Sequence, residues 1–290
     1  MVSMNRLDAN RRAMVIRCLV AGNSINSTCR MTQVAKNTVL KLLVEIGSVC
    51  SAFLDETMQN LTCKRLEADE AWSFCYAKQK HVTPAMEEQR YAGEVWTWVA
   101  IDAETKLIPC WLLGKRDSGC ATEFIQDLAG RLANRVQLTT DWLKVYVNAV
   151  ADAFGENIDY SVLHKIYGLE VAHEARYSPP TCIDCEKKSI IGDPDLKYAS
   201  TSYIERQNLT MRMSMRHFTR LTNGFSKKIE NHSAAVAVYM MFYNFGRKHQ
   251  TLGTTPAVKA RLTDHTWSVE EIIGLLEKIE PKSTRAAASS

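Results

Sequence analysis

Residues 137–146, QLTTDWLKVY, carry strand-like side chains into Asp141, set an indole, Trp142, directly behind it and then take up a helical pattern. A carboxylate at the end of a short strand suits a metal ligand, but it is also an ordinary turn residue. The surrounding pattern decides what kind of sheet this strand belongs to. Upstream, SGCATEFIQDLAGRLAN (118–134) reads as an amphipathic helix. EVWTWVAIDAETKLIPCWLLG (94–114) reads as two strands about a turn at DAETK, and RLEADEAWSFCYA (65–77) is rich in strand-forming residues. The order strand, hairpin, helix, strand predicts an α/β fold: a mixed sheet flanked by helices.

Further along, KVYVNAVADAFG (144–155) is helical in pattern, whereas YSVLHKIYGLEVAHEARYSPP (160–180) has no regular period. TCIDCEKKSIIGDPD (181–195), with its Gly, Pro and Asp content, reads as a surface loop. TSYIERQNLTMRMSMRHF (201–218) and SAAVAVYMMFYNFG (233–246) read as helices, and PKSTRAAASS (281–290) as a disordered tail.

The first sixty residues have a different texture. NRRAMVIRCLVAG (10–22) places Met14, Ile16, Leu19 and Val20 on a helix that stops at Gly22. In SINSTCRMTQVAKNTVLKLLVEIG (24–47), a short helix from about Ile25, a turn near Thr32 and Gln33 and a second helix ending at Gly47 form the outline of a helix-turn-helix. Val34, Val39, Leu42, Leu43 and Ile46 form its apolar side. The first turn of the second helix would then present Lys36, Asn37, Thr38 and Lys41 to DNA. A plain three-helix packing module has the same outline.

The chain has 290 residues, 46% of them hydrophobic, and a net charge of only +4, so the distribution of charge says more than its sum. Residues 1–41 carry Arg6, Arg11, Arg12, Arg17, Arg30, Lys36 and Lys41 against the single acid Asp8. Arg206, Arg212, Arg216, Arg220, Lys227 and Lys228 follow one another with no acid between them. Two basic segments about an acidic middle suggest a polyanion gripped at two places. The nine cysteines have no framework spacing, and the N-terminus has no apolar signal region, which fits a reducing cytoplasm. The apolar stretch at 233–245 is shorter than the roughly 20 residues that span a bilayer, so no membrane association is expected.

Three acids stand out by context: Asp69 within a strand, Asp141 at the end of another and Glu205 on a helix. Gathering such carboxylates is costly unless cations join them, and two Mg²⁺ ions held by oxygen ligands are the usual solution in phosphoryl transfer. On a continuous helix, Glu205, Arg212 and Arg216 share a face, with Arg220 close by, while Ile204, Met211, Met215 and Phe218 face the core. Glu70 would point away from Asp69, which makes it a poorer ligand, and Asp102 and Asp127 read as solvated. Trp72, Trp96 and Trp98 read as core residues and Cys75 and Cys110 as buried thiols. Cys182 and Cys185 form an isolated pair whose only candidate companion, His173, is distant.

DEAWSF, QLTTD, SYIERQNLTMRMSMRHFTRLTNGFSKK and YNFGRKHQTLGTTPA together resemble the IS-one-like group of bacterial insertion-sequence transposases, in the DDE transposase and retroviral-integrase superfamily. The resemblance runs from the helix-turn-helix to about Ala257. It implies a helix-turn-helix domain over 1–60, an RNase H-like catalytic domain over 61–257, and a C-terminal helix and tail over 258–290. It also implies a triad of Asp69, Asp141 and Glu205 on two Mg²⁺ or Mn²⁺ ions, and transposon-end and target DNA as partners. Arg247, Lys248 and His249 become DNA contacts, the assembly a homodimer or larger, and the setting the bacterial nucleoid. Trp142 stands where the family pattern has glycine, and His217 where it has a basic residue. A DNA-binding protein without catalysis is the alternative that Trp142 favours. A nuclease acting on RNA or RNA–DNA hybrids would share the domain but leave the helix-turn-helix unexplained.

Overall fold

The computed structural model describes residues 7–168, 182–219 and 222–279. Arg220, His173 and the 281–290 tail lie outside them. The chain divides into two compact units: Met58–Trp72 with Val95–Leu209, and Met1–Thr57 with Ser73–Glu94 and Thr210–Ser290.

The first unit is built on the sheet. Its strands are β1 (Arg65–Cys75), β2 (Gly93–Asp102), β3 (Trp111–Gly114), β4 (Gln137–Asp141), β5 (Asp159–Tyr167) and β6 (Cys182–Ile191), in the order β3-β2-β1-β4-β5-β6. β1 pairs parallel with β4 and β4 parallel with β5, while β2 with β3 and β5 with β6 are antiparallel. Helices α5 (Ser118–Arg131), α6 (Lys144–Phe154) and α7 (Ser202–Ser214) flank this mixed, open sheet. The fold is therefore the expected α/β arrangement, a mixed sheet flanked by helices. Trp98 is fully buried, edge-on to Tyr146 and beside Phe124, and its indole nitrogen donates to the Lys115 carbonyl, so the aromatic brings its polar atom into the core satisfied.

Two expectations fail here. Residues 160–167 and 182–191 form the paired strands β5 and β6 where irregular chain and a loop were expected, and 169–181 lie outside the described residues. β6 is an edge strand exposed along most of its length, so it lacks the apolar alternation by which a half-buried strand is recognised. Asp102 is buried, not solvated: its carboxylate accepts from the Thr105 amide and hydroxyl and closes the DAETK turn.

The second unit is helical. It holds α1 (Ala9–Val20), α2 (Ile25–Thr32), α3 (Lys36–Thr57), α4 (Pro84–Gln89), α8 (Ile229–Met241), a π-turn at Phe242–Gly246, α9 (Pro256–Lys259) and α10 (Val269–Ile279). Asp8 and Ser24 cap α1 and α2 through their side-chain oxygens, and Gln33 turns the chain in the left-handed region between α2 and α3. α2, the turn at Gln33 and α3 follow one another along the chain, and Val34, Val39, Leu42, Leu43 and Ile46 are all buried as expected. On α1, however, Ala13, Val15 and Ile16 face inward and Met14 is exposed. α3 is long and apolar enough by length and composition to cross a bilayer, but its apolar side packs on α8 and α10.

Gly47 does not end a helix; α3 continues through it to Thr57. A Cβ at Gly47 would lie 2.5 Å from both the Cα and the Cβ of Ala234, so this glycine is where α3 and α8 touch backbone to backbone. α7 also differs from expectation. It ends at Ser214, Met215 turns extended (φ −125°), and Arg216–Phe218 form a separate 3₁₀ turn, so Arg216 does not continue the helical face of Glu205. The buried stripe of Ile204, Met211, Met215 and Phe218 does hold.

Gly47→Ala gains helix propensity but forces the helix pair apart. The overpacking cost of about 1–3 kcal/mol outweighs the propensity gain of about 1 kcal/mol. Urea denaturation should show a net loss of stability, with Ala234→Gly in the same chain recovering part of it.

Candidate active site

Asp69, Asp141 and Glu205 come from three elements, β1, the end of β4 and α7, and line one cavity of about 460 Å³ with Arg116, Trp142, His164, Lys165 and Thr201. Each is positioned by identifiable bonds. Asp69 and Glu67 sit two apart on β1 and so share a face. Glu67 is buried, and its Oε2 accepts from the backbone amides of Tyr203 and Ile204 at 2.7 and 3.0 Å. These are amides of the first turn of α7, which have no intrahelical acceptor. One turn further along, Asn208 donates to Asp69 at 2.9 Å. α7 is thus fastened to β1 at both 67 and 69, and Glu205 lies between the fastenings. Glu205 accepts from the Thr201 hydroxyl at 2.6 Å and pairs with Lys165 of β5.

Asp141 answers the question of its role by filling two. One oxygen accepts from the Leu143 amide at 3.0 Å, which closes the turn into α6, and the carboxylate also lines the cavity. Trp142 is absent from the described residues with positive φ, so its backbone does not need the freedom that only glycine supplies. Its indole is partly exposed at the rim, 5.5 Å from the His164 ring and with the Lys188 ammonium 5.6 Å above it.

Glu70 is closer to this site than strand alternation predicts. One ligand atom each from Asp69, Glu70 and Asp141 fall within 4.8 Å of one another. The Glu70 side chain is fully buried, however, and is not part of the cavity wall. It accepts from Arg116 Nε at 3.0 Å, and a second nitrogen of the same guanidinium lies 3.7 Å from Asp141. Glu70 therefore anchors an arginine that lines the cavity beside Asp141. The sequence signal for Glu67 and Glu70 was the density of acids in RLEADE, on a strand otherwise apolar enough to be core.

Burial and mutual repulsion hold these carboxyls above their ordinary range. Desolvation first, then the charges of Asp141 and Glu205, push Asp69 up to about 6. Desolvation pushes Glu70 and Glu67 up to about 7 and raises Asp141. Crowded, partly desolvated oxygen donors of this kind fit Mg²⁺ or Mn²⁺, which favour hard oxygen ligands and keep several waters. Arg116 and Lys165 already offset part of the charge.

The candidate DNA contacts among the described residues fall in the helical unit, whereas Arg206 belongs to the sheet unit. Lys36, Asn37 and Lys41 are exposed on the first turns of α3, Thr38 is half-buried, and Lys41 is 3.9 Å from Glu45. Arg247 donates to the Ser214 hydroxyl at 3.1 Å, Lys248 is exposed, and His249 meets Thr251 in a tight turn. Cys182 and Cys185 are exposed on β6 with their sulfurs 3.6 Å apart, and no third metal-binding side chain joins them among the described residues.

No protein-family profile matches the chain, and neither does any curated protein. Among solved structures it overlaps a Mos1 transposase paired-end complex with the left transposon end at 13% identity and TM-score 0.25, over 55% of this chain and 60% of that one. It overlaps a piggyBac transposase synaptic complex with hairpin DNA at 10% identity and TM-score 0.45, over 98% and 77%. A pre-cleavage Mos1 transpososome gives 9% identity and TM-score 0.32, over 96% and 80%. At these values the overlaps say nothing of chemistry, which has to come from the residues of the cavity.

Two measurements follow from the site. A carboxyl with a raised folded pKa binds more protons folded than unfolded, so metal-free stability should fall as pH rises from about 4 through about 7. Added Mn²⁺ should then raise the melting temperature strongly at pH 8 and little at pH 5, and Asp69→Asn should remove most of that gain. Separately, Glu67→Ala leaves two helix-start amides without their acceptor and should cost about 1–3 kcal/mol in denaturant unfolding, with Glu67→Gln losing less.

Proposed function

We propose that this protein is a metal-dependent DNA transposase of DDE type, which binds transposon-end repeats, cuts phosphodiester bonds and joins the freed 3′ end to target DNA. The observation that carries the reading is the convergence of Asp69, Asp141 and Glu205 on one cavity from separate elements. Mg²⁺ or Mn²⁺ would be held by these three carboxylates. Such ions supply a water acidic enough to attack at neutral pH and charge to balance the leaving oxygen.

The chain's own groups do the rest. β1 and α7, fastened through Glu67 and Asn208, keep two carboxylates in fixed relation. Arg116 and Lys165 bring positive charge to a wall that a phosphodiester must approach. Trp142 at the rim offers a flat face on which an unpaired base at the cut end can stack. In this reading residues 1–60 recognise the DNA end, residues 61–257 carry the chemistry, and copies act together on paired ends.

One observation favours a second reading, a DNA-binding protein without catalysis: the Lys165 ammonium sits directly on Glu205, one of the three carboxylates that would hold the metal. Calorimetric Mn²⁺ titration separates the two, since a pure binder takes up no metal at these carboxylates.

The test of the leading reading is nicking of duplex oligonucleotides taken from the DNA flanking the gene, with and without Mg²⁺. Asp69→Ala, Asp141→Ala and Glu205→Ala should each abolish metal-dependent nicking. If all three leave it intact, the assigned site is wrong. Trp142→Gly should lower nicking if the indole stacks on a base, whereas a large gain would mean that it obstructs.

A further inference from the structure

The helical unit contains a second concave surface, of about 270 Å³, that the acidic cavity does not explain. Lys36 from the first turn of α3 and Arg216 and Lys227 from the segment beyond α7 all line it, together with the side-chain amides of Asn26, Asn223 and Asn231, and no carboxylate does. The first turn of α2 contributes Ser24 to Asn26, so the positive end of that helix also opens on the groove.

Its charge is held in place. A Cβ on Gly224 would lie 2.9 Å from both Cγ and the carbonyl oxygen of Arg216, so the stem of Arg216 lies against bare backbone at Gly224. The segment carrying Gly224 and Lys227 is tied down by the buried His232. The two ring nitrogens of His232 meet the hydroxyls of Ser226 at 2.9 Å and Ser73 at 3.2 Å. Ser226 also accepts, through its carbonyl, the Tyr76 amide. Lys36, Arg216 and Lys227 are exposed, and no ion pair engages them among the described residues.

We propose that this groove binds the phosphate backbone of duplex DNA without regard to sequence, with Lys36, Arg216 and Lys227 as the phosphate contacts and Gly224 as the residue that seats Arg216. This rests on the DNA-binding part of the function proposed above. It differs from the sequence expectation, in which Arg216 extends the face of Glu205 and Lys36 belongs to the first turn of a recognition helix, the part that touches base edges. Phosphate contacts position a protein on DNA, whereas base contacts specify sequence, so the two assignments make different predictions.

Binding of the full chain to two unrelated duplexes is measured in EDTA over a range of salt. Lys36→Ala, Arg216→Ala and Lys227→Ala should each reduce the slope of log K against log salt by about 0.9, equally on both duplexes. Gly224→Ala should reproduce the loss of Arg216→Ala and add nothing to it in the double variant, with melting curves of all variants confirming the fold. Unchanged slopes, or losses confined to one duplex, would overturn the proposal. Slopes lost as expected while metal-dependent nicking is absent would sink the catalytic reading and leave the groove standing. Nicking with unchanged slopes would do the reverse.

Discussion

One buried carboxylate, Glu67, accepts two backbone amides at the start of α7, and the geometry of the acidic cavity depends on it. A helix begins with amides that nothing inside it can satisfy. Here the acceptor comes from a sheet strand, so the start of the helix is fixed to that strand by two hydrogen bonds and not by apolar packing alone. Asp69 stands two residues further along the same strand face, and Glu205 one residue beyond the second bonded amide. The spacing of the two cavity carboxylates is thus set by the pitch of a strand and the first turn of a helix, both stiff elements. Asn208 repeats the fastening a turn later.

That arrangement also concentrates negative charge where water is partly excluded. Asp69, Glu70 and Asp141 lie within reach of a single small ion, and their raised affinity for protons is the energetic sign of the crowding. Arg116 beside Asp141 and Lys165 beside Glu205 relieve it only in part. Protons and these two side chains therefore compete for the same oxygens, as any cation entering the cavity would.

Much of this was legible in the sequence, because the informative residues were those whose pattern reports burial. The strands β1, β2 and β4 and the helices α5 and α6 announce themselves by aromatic content or period, and Asp69, Asp141 and Glu205, marked in the sequence by their context, line one cavity in the fold. What was missed has physical causes. β5 and β6 form a ribbon whose outer strand is exposed along most of its length, so no apolar alternation marks it. The break at Met215 is invisible because Met215 and Phe218 keep the helical spacing of a buried stripe even though the backbone between them changes. Glu67 and Glu70 could not be assigned because their roles depend on partners, the α7 amides and Arg116, that lie far away in the chain.

Gly47 has a mechanical consequence beyond its stability cost. It lies 11 residues along α3 from Lys36, roughly 16 Å at helical rise, so the backbone contact with Ala234 acts as a fulcrum with Lys36 at the end of a lever. Over an arm of that length each degree of tilt at the contact carries the Lys36 end by about 0.3 Å. Replacing a glycine buried between two helices could thus detune a distant lysine while leaving the lysine itself untouched.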